Sequence, residues 1–79
     1  MIDQGSYKLG KSMMMVDVEM GKMLSLAYAD TIEVVDSLGA GKCLVRSPKG
    51  DFVAMEVTLK KLYLDGWLEK VTRNRASVG

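Results

Sequence analysis

Three runs rich in β-forming residues, TIEVVDSL, KCLVRS and DFVAMEV, follow one another between Thr31 and Val57, separated only by short glycine-bearing connectors. Valine, isoleucine and phenylalanine pack well on a pleated surface. Ile32 and Val34 share one face of the first run, and Cys43 and Val45 share one face of the second. In the third, Val53, Met55 and Val57 alternate with Phe52, Ala54 and Glu56, the period of two that marks a strand. Gly39-Ala40-Gly41 supplies positions that accept positive φ, and Ser47-Pro48-Lys49-Gly50 places proline and glycine as a turn requires. Connectors this short force neighbouring strands to be antiparallel. A helix from Phe52 through Met55 and Leu59 to Leu62 is the competing reading, and it ignores the turn before it.

The flanks are read around this meander. Residues 1–12 are polar and glycine-containing, and are expected to form a mobile arm, as are residues 74–79. The segment SMMMVDVEMGKMLSLAYAD is ambiguous. As strands, Met14, Val16, Val18 and Met20 alternate with Met15, Asp17 and Glu19, and Gly21-Lys22 turns into a second strand with Leu24, Leu26 and Tyr28. As a helix, Asp17 is the N-cap, and Met20, Met23, Leu24, Ala27 and Tyr28 make one stripe. Gly21 costs that helix about 1 kcal/mol, so the reading leans to strands. After the meander, Thr58 is placed to cap a short helix, LKKLYLDG, ended by Gly66, and WLEKVTR suits a closing strand.

The order DTIEVVD, loop, KCLVR, PKG, DFVAMEV, helical turn and closing strand resembles the strand grammar of SH3-like small barrels over residues 30–70. The resemblance implies a mainly β fold, a small antiparallel meander curled into a barrel with a short C-terminal helix. It implies no ligand, because the paired tryptophans and proline/tyrosine groove of signalling SH3 domains have no counterpart here. LKKLYLDGWLEK also resembles the end of a winged-helix recognition helix and its first wing strand, which keeps α+β and winged-helix alternatives open. The chain ends soon afterwards, and no clear helix-turn-helix pair precedes it.

Composition removes several chemistries. With 79 residues, one cysteine and no histidine, a single domain with neither an internal disulfide nor a Cys/His zinc site is expected. Cores this small are only marginally sufficient, which favours a homo-oligomer. The usual base of nucleophilic catalysis is missing, and Cys43 reads as a buried thiol, so no catalytic residue, metal or cofactor is expected. Gly39-Ala40-Gly41-Lys42-Cys43 departs from a phosphate-binding loop, with Asp36 where the first glycine belongs and Cys43 where Ser or Thr would bind magnesium. Asp17 with Glu19, and Glu33 with Asp36, read as solvated surface; the second pair shares a face only if the strand register breaks. The polar opening MIDQGSYKLGK has no apolar leader core, and no apolar run is long enough to cross a bilayer. The expectation is a soluble cytoplasmic protein.

Two surfaces are candidates. Five of the seven methionines stand at positions 13, 14, 15, 20 and 23. A strand here is apolar on both faces, which marks Met13, Met15 and Met23, with Trp67, as an interface for a protein partner or a second copy. Charge is also uneven. Residues 1–40 set Lys8, Lys11 and Lys22 against Asp3, Asp17, Glu19, Asp30, Glu33 and Asp36, a net of −3. In residues 41–79, Lys42, Arg46, Lys49, Lys60, Lys61, Lys70, Arg73 and Arg75 face Asp51, Glu56, Asp65 and Glu69, a net of +4. Those cations are the candidate track for nucleic acid, although only Phe52, Tyr63 and Trp67 could stack bases. The favoured expectation is a small non-enzymatic regulatory protein that acts through protein contact and self-associates, with nucleic-acid binding as the alternative.

Overall fold

The structure is a computed structural model that describes residues 2–71. The meander is present as β4 (Thr31–Gly39), β5 (Lys42–Ser47) and β6 (Gly50–Met55), paired antiparallel in sequence order. Ile32, Val34, Cys43, Val45, Phe52 and Ala54 all point into the core. The first turn is tight enough that Gly39, Ala40 and Gly41 all take positive φ. In the second, the Ser47 hydroxyl donates to the Gly50 carbonyl at 2.7 Å and accepts from the Lys49 N–H at 3.1 Å.

The N-terminal segment is not the mobile arm its composition suggests. Gly5–Leu9 forms β1, the strand between β4 and the closing β7 (Leu68–Lys70), in a five-stranded sheet of order β6-β5-β4-β1-β7. Tyr7 and Leu9 enter the core from β1. Tyr7 also donates its hydroxyl to the Asp3 carbonyl at 2.7 Å and meets the Tyr63 ring edge-on, 5.9 Å between centroids. A polar strand is stable in this position because both of its edges are paired. Residues 74–79 lie outside the described residues.

β4 carries two register shifts, between Val34 and Asp36 and between Ser37 and Gly39. Each inserts a residue and bends the strand, so its first half pairs β1 and the rest continues along β5. The first shift also sets Glu33 and Asp36 on the same face, opposite Arg46 and Leu44.

Residues 13–29 are strands, as the period of two favours: β2 (Met13–Val16) pairs β3 (Met23–Leu26) in a separate antiparallel hairpin. Among the described residues two antiparallel sheets, not closed on themselves, stand in place of the barrel expected from the SH3-like pattern. The helix α1 spans Glu56–Leu64, so Phe52–Met55 are strand and the long helical reading is set aside. It begins two residues ahead of Thr58, with Met55 as N-cap and no side-chain cap. The Glu56 N–H instead donates to the Gly41 carbonyl at 2.7 Å, so a group that a cap would serve is satisfied by the β4–β5 turn. Gly66, at φ 88°, ends the helix and turns the chain into β7. The mainly β chain with one short helix leaves the winged-helix and α+β alternatives without support. No described helix is long and apolar enough to cross a membrane.

Candidate interaction surface on the β2–β3 hairpin

The run MMMV in β2 can bury either set of alternating side chains. The structure turns Met15 inward with Leu24 and Leu26 of β3, and packs Met13 against the same core. The opposite face therefore carries the exposed groups. Met14 is 54% exposed, Val16 46% and Met23 59%, and Val16 stands directly across from Met23. Met20 projects from the connecting turn. Methionine adapts to irregular partners, and a contiguous apolar face on a small hairpin is a candidate contact surface.

One aspartate holds this hairpin in place. Asp17 is only 5% exposed. Its Oδ1 accepts the N–H of Glu19 at 2.9 Å and of Met20 at 3.2 Å, closing the turn that leads to β3. Gly21, at φ 71°, completes that turn with an N–H donated to the Asp17 carbonyl. The next residue, Val18, donates its N–H to the Val53 carbonyl on the free edge of β6 at 2.9 Å. Among the described residues this is the one backbone bond joining β2's side of the hairpin to β6. Beside that bond lies a cleft of about 330 Å³ lined by residues of β2 and Val18 with Lys11, Ala54, Met55, Thr58 and Leu62.

Burial pushes the Asp17 carboxyl up, but the amides of Glu19, Met20 and Val53 and the charge of Lys22 outweigh it, and its pKa falls below the ordinary value. A depressed carboxylate stabilises the fold above its unfolded pKa, about 3.9, and that contribution disappears as pH falls through the lower folded value. Acid titration of wild type and Asp17→Asn should therefore show a stability difference at pH 6 that narrows below about pH 4. A gap that stays constant down to acid unfolding would show that the charge is not what matters.

The other predicted interface residue, Trp67, is partly exposed and carries Lys11 Nζ 4.3 Å from its ring centroid. Lys11 also lines the cleft, so Trp67 is linked to the cleft through that lysine. Met13 and Met15, the β2 residues expected at an interface, turn to the core, and Met14 and Val16 are the exposed ones, because a strand with four consecutive apolar residues gives no alternation from which to choose a face.

The predicted phosphate track is divided among ion pairs. Lys42 Nζ meets Glu19 Oε2 at 2.5 Å, Arg46 Nε meets Asp51 Oδ1 at 3.4 Å with Glu33 across the other strand, and Lys61 Nζ meets Asp65 Oδ2 at 3.4 Å. Lys70 donates to the Gln4 carbonyl at 2.9 Å. Lys49 sits in the β5–β6 turn and Lys60 on the exposed side of α1; Arg73 and Arg75 lie outside the described residues. Cys43 is buried in β5, and burial, with Glu56 nearby, pushes its thiol pKa up, away from the thiolate a nucleophile needs. No cluster of potential metal ligands occurs among the described residues.

Comparison with known proteins adds no relative. The chain matches no family, no curated protein and no solved structure.

Proposed function

We propose that this chain is a small non-enzymatic accessory or regulatory protein of the cytoplasm that works through protein contact, self-association included, with the outer face of the β2–β3 hairpin as its working surface. The observation that carries the reading is the coexistence of Met14, Val16 and Met23 on one exposed face with a turn braced by five backbone and carboxylate bonds at Asp17 and Val18. A braced apolar face loses little conformational freedom when a partner covers it, which favours association. The pairing of Lys42, Arg46 and Lys61 with carboxylates favours protein contact over a phosphate track, since each cation must first leave a local partner.

The test is a photocrosslinking residue placed at Val16 and, separately, at Leu38, which is exposed on β4. Protein adducts in cells are expected from position 16 and not from position 38. Equal yields at both positions would reject the hairpin as the contact surface. A salt-dependent gel shift with DNA or RNA, in place of protein adducts, would move the assignment to nucleic acid.

A further inference from the structure

We propose that the cleft beside β2 takes an extended apolar peptide with one acidic residue, added to the hairpin as a third strand; this rests on the reading of the hairpin as a protein-contact element. The Asp17 N–H donates to the Lys22 carbonyl, so Asp17 is a bonded position in the antiparallel pairing of β2 with β3. Bonded and non-bonded positions alternate along such a pair. Met15 opposite Leu24 and Met13 opposite Leu26 are therefore bonded to β3, whereas Met14 and Val16 turn their N–H and C=O groups away from it. Val18 continues that alternation, and its N–H is the one that reaches the Val53 carbonyl. Outside the two sheets, no backbone hydrogen bond among the described residues reaches Met14 or Val16.

The cleft lies along this same edge. Met13 and Met15 line it together with Met14 and Val16, although alternate residues of a strand point to opposite faces. A cleft touches both sets only where it runs beside the strand rather than over one face. Outward donors and acceptors on a strand edge are matched by another extended backbone, and β2 carries neither charge nor proline to discourage one. A strand added there alternates its own side chains between Met13 and Met15 on the core side and Met14 and Val16 on the outer side, so apolar residues suit both. Lys11 is the one charged residue in the lining and has no ion pair among the described residues. Its Nζ lies over the Trp67 ring, which leaves the positive charge for an acidic group of the peptide.

The experiment selects a random library of short linear peptides displayed on phage against the full chain, and maps the enriched peptides by amide chemical shifts. Apolar sequences bearing Asp or Glu are expected, with the largest shifts at the amides of Met14 and Val16. Methylating the peptide's amides one at a time should weaken binding by about tenfold at every second residue and little at those between. Val16→Pro removes an outward donor without breaking a bond to β3, and should bring a loss of similar size with an unchanged circular dichroism spectrum. The methylation pattern decides where that variant fails to fold. Lys11→Met should abolish the preference for an acidic residue and weaken binding by about threefold. Failure to enrich any peptide overturns the inference and leaves the crosslinking test at position 16 standing. Binding that is indifferent to amide methylation overturns strand addition, and an acid preference that survives Lys11→Met overturns the part given to Lys11. If the chain alone dimerises with the same amides shifted, the edge belongs to a second copy and the inference falls. Equal crosslinking at positions 16 and 38 alongside methylation-sensitive binding would reject the outer face while upholding the edge.

Discussion

A chain that begins at Gly10 is expected not to fold. Removing residues 1–9 deletes β1, which pairs four residues with β4 and three with β7. It also withdraws Tyr7 and Leu9, 1% and 0% exposed, from the core. Burial of side chains this size contributes about 1.5–3 kcal/mol each, before the broken pairings are considered. A domain of this length has a total stability of roughly 4–12 kcal/mol. The loss also separates β7 from the remaining sheet, because among the described residues β1 is its only strand neighbour. The truncated chain should show no cooperative thermal transition and poorly dispersed amide resonances. Retention of a cooperative melt would mean that the sheet forms without the strand that joins β4 to β7, contrary to the strand order described above.

Leu59→Ala should produce the second large effect. Leu59 is fully buried, and it is the one buried side chain of α1. The helix otherwise presents exposed Val57 and Leu64 and half-covered Leu62 and Tyr63. Truncating a buried leucine costs about 2–5 kcal/mol, depending on how far the surroundings collapse. At about 4–8 °C per kcal/mol for a domain of this size, a fall in Tm of about 8 °C or more is expected. Loss should be greatest in amide protection across α1, whose other contacts are few. The matched control is Leu64→Ala, on an exposed position of the same helix, which should leave Tm nearly unchanged. Equal effects at the two positions would refute the anchoring role of Leu59.

The meander was legible because its side chains alternate and its turns contain glycine where positive φ is needed. Ile32, Val34, Cys43, Val45, Phe52 and Ala54 could be assigned to faces from local pattern alone. β1 could not. GSYKL holds only two large apolar side chains, and what makes it a strand is the pairing of Gly5–Lys8 with Thr31–Val34 and of Tyr7–Leu9 with Leu68–Lys70. Such long-range bonds leave no local periodicity. The start of α1 was displaced for a related reason: the Gly41 carbonyl, fifteen residues upstream, serves the Glu56 N–H, so Thr58 is not needed as a cap. At the candidate surface, the sequence showed that the hairpin is apolar on both faces. It could not show which face is covered, because that depends on how Asp17 and Val18 fasten the turn to β6.

The two register shifts in β4 also bear on how this chain tolerates changes in length. Each places one more residue on β4 than on β5 while the pairs on either side keep their faces. Loss of the extra residue at either point would leave one-to-one pairing with β5 and keep the side chains beyond it on their present faces. Two losses, one at each irregular point, would preserve the alternation while straightening the strand. In this part of the molecule, single deletions at the two irregular points should therefore be tolerated, with the bend rather than the inside-outside pattern as what is lost.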